Sequence, residues 1–211
     1  FENPYITYEN QYIESVWNGV KKVNDQGLFY KDYRVVPWCP RCGTALSSHE
    51  LAQGYEDVKD LSVYVKLKIV GFPKAYFLAW TTTPWTLPGN VALAVGKDVI
   101  YVEAKVGDEI LVLAKDRLSI IEGPYEIVAE HKGKDMVGMQ YEPLFPYLKE
   151  DISGTEKDKL KNAYKVYVAD FVNTTDGTGI VHTAVMYGQD DFELGTKVGL
   201  PKYHLVNLEG K

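Results

Sequence analysis

The chain has 211 residues, of which 45% are hydrophobic and 25% charged, and its formal net charge at pH 7 is −6. This composition excludes a disordered chain and is enough to bury the core of one good-sized domain or two small ones. The acidic balance argues against a broad basic face that wraps nucleic acid and leaves room only for a local contact with a short end. No run approaches the ~20 apolar residues of a membrane span. With no leader-like start, the two cysteines are expected to be reduced, in a cytoplasmic setting. A chain that opens on Phe1 is expected to be a piece of something longer.

In chain order, residues 8–26 predict a helix. Ile13, Val16, Trp17, Val20 and Val23 recur near the i, i+3, i+4, i+7 spacing, and Gly27 is a stop. Pro37-Trp38-Cys39-Pro40-Arg41-Cys42-Gly43 reads as a turn-rich knuckle. The pattern changes near residue 60. In DLSVYVKLKIV, the apolar Leu61, Val63, Val65, Leu67 and Ile69 alternate with Ser62, Tyr64, Lys66 and Lys68, which predicts a strand. Shorter strands are expected at 75–81, 91–95, 99–105, 109–114, 125–131, 164–170 and 179–184, with turn signals such as Gly107-Asp108 and Asp176-Gly177 between them. Short helices are expected near 115–121 and 190–198, and the polar, lysine-rich 149–162 reads as a solvated loop or short helix. Many short strands at this spacing predict a barrel or sandwich, a β-rich α+β fold, and not a doubly wound sheet.

Three stretches carry chemistry. Cys39 and Cys42 form one C-x-x-C, which is half of a four-ligand zinc site. His49 could add a third ligand and nothing supplies a fourth; a redox role lacks the βαβ context. The second stretch is TTTPWTLPGN (81–90), in which a strand rich in threonine runs into a stiff turn holding a large aromatic. The third runs from Gly177 to Asp191. It delivers His182 at the end of a strand, then a glycine turn, then Asp190 and Asp191 at the start of a helix. Either aspartate could simply cap that helix, since acidic groups are favoured there, and His182 alone would read as a core histidine. Together, the threonine hydroxyls, the histidine and the carboxylate nine residues on can line one pocket. Such a pocket binds an amine through the carboxylate and a carbonyl or ribose through the hydroxyls. With no serine in a nucleophile elbow, it suits attack by a positioned water.

WTTTPWTLPGN (80–90) and GTGIVHTAVMYGQDD (177–191) closely resemble the two signature stretches of the editing domain, connective polypeptide 1, of isoleucyl-tRNA synthetases in class I. PWCPRCGTALSSHE (37–50) and YIESVWNGVKKVNDQGLFYKDYRVV (12–36) resemble the region before that domain, so the likeness covers essentially the whole chain. It implies a closed or partly closed β-barrel with flanking helices. Residues 1–37 would be a helical segment joining the synthetase core, 38–60 a connective segment with the Cys-x-x-Cys, and 61–211 the editing domain.

The implied activity is hydrolysis of valine wrongly attached to isoleucine tRNA. Asp191 would hold the α-ammonium, and His182 would line the side-chain pocket and exclude isoleucine. Thr81, Thr82, Thr83 and Thr86 would place the ester and the water. Asn90 would sit near the terminal adenosine, Trp85 would support the pocket wall, and Asp190 would flank the substrate. The partners would be the 3′ end of tRNA(Ile) carrying valine and the rest of the synthetase. The site would need no metal or cofactor; ATP and magnesium would serve the parent ligase, whose His-x-Gly-His and Lys-Met-Ser-Lys-Ser signatures are absent from this sequence. The sequence departs from the family where Val185-Met186-Tyr187 replaces its usual proline-containing loop. A tRNA-binding module with decayed editing, or a small zinc-binding interaction module, are the competing readings.

Overall fold

The computed structural model describes residues 4–211. The chain divides into two units, residues 1–34 and 35–211. In the first, helix α1 (Asn10–Asp25) ends where Gly27 turns left-handed at φ 70°. The Gly27 and Leu28 N–H groups then satisfy the carbonyls of Asn24 and Val23, at 2.9 and 3.2 Å, which is how a glycine after a helix ties off its last turn. No α1 residue is buried, and Val16 and Trp17 are at least half exposed.

The second unit opens with a hairpin of two very short strands, β1 (Trp38–Cys39) and β2 (Thr44–Ala45), which turn at Gly43. Helix α2 (Ser48–Gln53) follows, started by a reciprocal cap in which Ser47 and Glu50 each satisfy the other's backbone N–H.

The main sheet is built around β4 (Ala75–Thr81). One edge of β4 carries β3 (Val63–Lys68), antiparallel along its length from Val63↔Thr81 to Lys68↔Tyr76. The other edge is shared. Its first half pairs in parallel with β7 (Glu109–Ala114), and its end pairs at Trp80 with Val181 of β10 (Ile180–Thr183). Two wings therefore diverge from β4. One runs from β7 to β6 (Ile100–Val106) and β8 (Glu126–Lys132); the other runs from β10 to β5 (Ala92–Val95) and β9 (Lys165–Val168). The second wing curls back toward β3. Residues 138–142 span the remaining gap, with Gly138 and Tyr141 donating to Val166 and Tyr164 on one side and Glu142 donating to Lys68 on the other. The result is a curled, partly closed barrel, since this last edge is bridged by isolated pairs and not by a full strand.

The interior holds Leu67, Phe77, Leu93, Val95, Met136, Tyr141 and Ile180, each with almost no exposed surface. Truncating one buried phenylalanine of this kind costs about 3–5 kcal/mol, so Phe77 in the central strand is a large single contributor. Helix α5 (Gln189–Val198) packs Leu194 against the β5 and β9 wing and ends at the left-handed Gly199. Helices α3 (Tyr147–Asp151) and α4 (Gly154–Asp158), with a 3-10 turn over Lys159–Asn162, occupy the polar stretch expected to be a loop or short helix. Leu148 and Ile152 are the reason it is ordered: both are buried in the core.

Candidate active site

The end of β4, the start of β10 and the first turn of α5 meet at a cavity of about 290 Å³. The Gly177-Thr178-Gly179 stretch sets its floor. Both glycines are left-handed, and a Cβ on Gly179 would come within 2.5 Å of the Ala114 Cβ, while one on Gly177 would reach 2.8 Å from the Trp80 ring. Only glycine allows the chain to press this closely against two neighbouring strands. Arg117 pins the same loop, donating to the carbonyls of Gly177 and Thr175 at 2.7 and 2.8 Å.

Thr81, Thr82, Thr83, Thr86, His182 and Asp191 all line this cavity. Two sequence stretches about a hundred residues apart thus converge on one site. The threonine loop is folded by its own side chains. Thr81 Oγ1 accepts from the Thr83 N–H at 3.0 Å, and Thr86 Oγ1 donates to the Thr83 carbonyl at 2.8 Å. A 3-10 helix over Pro84–Gly89 holds Thr86 inward and buried, with proline at its start where no N–H is needed. The Thr82 hydroxyl, exposed at the rim, has no intramolecular partner among the described residues.

His182 is buried, and both ring nitrogens are engaged: Nε2 lies 2.8 Å from Thr86 Oγ1 and Nδ1 lies 3.3 Å from Asn90 Nδ2. Burial pushes its pKa down to about 4, so it is neutral at physiological pH. Asp191 is the opposite case. It sits in the first turn of α5, but Gly188 is the N-cap and neither aspartate side chain caps the helix. One carboxylate oxygen accepts from the Ala184 N–H at 3.3 Å. Burial, helped by the nearby charge of Asp190, pushes the Asp191 carboxyl up to about 6. Among the described residues, no Lys, Arg or His forms an ion pair with it.

Three expected site residues lie off the cavity wall. Asn90 is buried behind His182, where it touches the ring and the Ala92 carbonyl. Trp85 is half exposed and meets the edge of Tyr187 at 5.5 Å between ring centres. Asp190 points to solvent beside the site. His49, the third metal-ligand candidate, is on exposed α2 beside Gln53, and Cys39 Sγ accepts from the Cys42 N–H at 3.3 Å. The described residues contain no group of three or more His, Cys, Asp or Glu poised to hold a metal.

Tyr187 is a pocket residue that the sequence reading treats only as part of a departure. Its ring fills the space over Gly89, where a Cβ would approach to 2.9 Å. Its hydroxyl accepts from the Leu205 and Val206 N–H groups at 2.8 and 3.2 Å. Val185 is buried against Gly195 of α5, so the departing loop docks that helix onto the end of β10. The one legible signal for Tyr187 is the small residue at Gly89, which leaves room for a large ring.

The profile of the class I tRNA synthetases (I, L, M and V) matches residues 1–197, and the chain belongs to that family. Within it the similarity runs to isoleucine–tRNA ligases. The chain is 54% identical over all its 211 residues to the isoleucine–tRNA ligase of Clostridium tetani and 46% identical to that of Bacillus thuringiensis, and it spans 20% of the length of each. A solved structure described as GlLeuRS-CP1 is similar in fold: its TM-score is 0.53 at 19% identity, over 65% of this chain and 60% of that one. No helix among the described residues is long and apolar enough to cross a membrane.

Proposed function

We propose that this chain is the editing part of an isoleucine–tRNA ligase and hydrolyses the ester of valine wrongly joined to tRNA(Ile). The observation that carries this reading is Asp191, a mostly buried carboxylate with no ion-pair partner among the described residues that lines a cavity beside a neutral histidine. A group held in this way is stabilised when an ammonium arrives. The α-ammonium of an aminoacyl ester fits, and with it held there the amino-acid side chain lies in the cavity toward His182.

A pocket that binds the larger isoleucine can reject valine by only about 1–3 kcal/mol, and this very pair of amino acids is the standing example of that limit. A second pocket reverses the test by admitting valine and stopping isoleucine against the imidazole. The terminal ribose and its ester lie at the threonine rim. Thr82 offers a free hydroxyl there, and the folded Thr81–Thr86 loop fixes the positions of the others. Water adds to the ester carbonyl carbon, the bond to the ribose oxygen breaks, and the water's proton ends on that oxygen. Fixed donors and acceptors at the carbonyl lower the barrier without moving during the reaction.

In the parent ligase, ATP and magnesium would serve the separate charging reaction in the cytoplasm. The exposed apolar stripe of α1, including Val16 and Trp17, would be covered by the remainder of that synthetase. The test is release of valine from valyl-tRNA(Ile) against release of isoleucine from isoleucyl-tRNA(Ile), by the chain and by a full-length isoleucine–tRNA ligase carrying it. Selective loss of valine is expected. No release of either amino acid in both formats would overturn the hydrolase reading.

A further inference from the structure

His182 sits in a chain of hydrogen bonds longer than the cavity, and the polarity of that chain is fixed from both ends. At one end, the Ala92 carbonyl can only accept, and it takes a proton from Asn90 Nδ2 at 3.0 Å. This orients the carboxamide: the second Nδ2 proton points to His182 Nδ1 at 3.3 Å, and Oδ1 points the other way, to the Tyr141 hydroxyl, which donates to it at 2.5 Å. At the other end, the Thr83 carbonyl can only accept, and it takes the Thr86 hydroxyl proton at 2.8 Å. Thr86 Oγ1 must then accept from His182 Nε2, at 2.8 Å. Read from either end, the imidazole carries its proton on Nε2 and a lone pair on Nδ1, and every donor in the chain meets an acceptor.

Tyr141 lies outside both signature stretches. It belongs to residues 138–142, which bridge β9 and β3 where the barrel is incomplete, and it is fully buried. Its N–H donates to the Tyr164 carbonyl at 3.1 Å, and its ring meets Tyr164 edge-on. The hydroxyl is therefore held by the barrel wall and not by the pocket.

We propose that Tyr141 is a positioning residue of the editing site: together with the Ala92 carbonyl, its hydroxyl locks the Asn90 carboxamide and so strengthens the hold on His182 as the Nε2–H tautomer, with the ring fixed against the pocket. Without that hydroxyl, the carboxamide as it stands leaves a buried oxygen with no donor. The flipped carboxamide takes a proton from Nδ1–H but turns its oxygen toward the Ala92 carbonyl, so it stays the minor form. The gap between the two tautomers narrows, and the steric stop loosens. The effect on amino-acid selectivity rests on the editing reading; the tautomer does not.

The test uses the 211-residue chain labelled with ¹⁵N at its four histidines, with ring-nitrogen spectra recorded at pH 7 on wild type, Tyr141→Phe and Asn90→Asp. Wild type should show His182 as one tautomer, protonated at Nε2. In Tyr141→Phe the two nitrogen signals should move toward each other as the Nδ1–H form mixes in. In Asn90→Asp the new carboxylate accepts where the amide donated, and the tautomer should reverse. The valine-over-isoleucine ratio of hydrolysis should fall about tenfold in Tyr141→Phe, the scale of one lost buried hydrogen bond.

An Nδ1–H tautomer in wild type overturns the proposal. So does a folded Tyr141→Phe with unchanged nitrogen signals, or an Asn90→Asp that stays Nε2–H. The wild-type and Asn90→Asp measurements stand whether or not the phenylalanine variant folds. A protein that shows the predicted tautomers and hydrolyses nothing would refute the editing reading while supporting the tyrosine's positioning role.

Discussion

The two ionisable walls of the cavity are built in opposite ways. Around His182 the protein supplies everything: Thr86 in front, Asn90 behind, and Tyr141 behind Asn90. Burial keeps the ring neutral, and nothing about it asks for a ligand. Around Asp191 the described residues supply one backbone N–H and no ion-paired counter-charge. Burial there leaves the carboxylate in a state that a cation would relieve. A satisfied buried group is rigid and works by shape; an unsatisfied one works by binding. The pocket therefore has a steric wall and a binding wall, and the two should respond differently to mutation and to pH.

The largest effect should come from the binding wall. Asp191→Asn should lower kcat/KM for valine release about a hundredfold or more, the scale of losing one partner of a buried charged contact; steady-state hydrolysis of valyl-tRNA(Ile) measures it. The steric wall should fail in selectivity first. His182→Ala should leave valine hydrolysis largely in place and bring isoleucyl-tRNA(Ile) into range, so that the ratio falls about ten- to two-hundredfold. Competition between the two substrates reads this directly.

The contrast also predicts a stability difference of known sign. Burial pushes the Asp191 carboxyl up to about 6 in the folded chain, from an ordinary value of 3.8. The folded state thus holds more protons between these values, and its stability falls as pH rises from about 4 to about 6. Asp191→Asn removes that penalty. It should be more stable than wild type by about 1–3 kcal/mol at pH 7.5 and no more stable below about pH 4. Urea midpoints at the two pH values test this, and a variant that loses activity while gaining stability would separate the binding role from a structural one. The smallest effect belongs to Asp190→Asn. Its exposed charge only adds to the shift at Asp191, so the Asp191 carboxyl should titrate slightly lower and hydrolysis at pH 7.5 should change by no more than about twofold.

The strands were the most legible part of the sequence. Ala75–Thr81 and Glu109–Ala114 form where they are expected, 125–131 is shifted by one residue to Glu126–Lys132, and 164–170 shortens to Lys165–Val168. The joining of the barrel was not legible. Residues 138–142 carry no periodic pattern, because their partners lie on two strands far apart in sequence and the pairing consists of isolated bridges. Over 149–162 a short helix is one of the two options the sequence allows, but its docking into the core was hidden for a similar reason: Leu148 and Ile152 are two apolar anchors in a polar stretch, too few to show a period.

The site divides along the same line. Thr81, Thr82, Thr83, Thr86, His182 and Asp191 were readable because local motifs deliver them, and the cavity brings them together. Asn90 was readable as a member of the motif but not as the residue behind His182. Tyr141, 51 positions from Asn90, was not readable at all, since no local pattern encodes a hydroxyl that reaches Asn90 from a segment joined to it through Tyr164. Tyr187 was visible only as a departure, and its reach to Leu205 and Val206 depends on the fold.

The central claim is that Asp191 waits for the ammonium of an aminoacyl ester. The most direct measurement follows its side-chain carboxyl carbon by NMR as pH is varied, with and without valine joined to 3′-amino-3′-deoxyadenosine by a stable amide. The account predicts titration near 6 in the free chain and a clear downward displacement when the amide is bound, because a bound ammonium favours the carboxylate. Titration unmoved by a saturating amount of that compound, in a chain shown to bind it, would contradict the account.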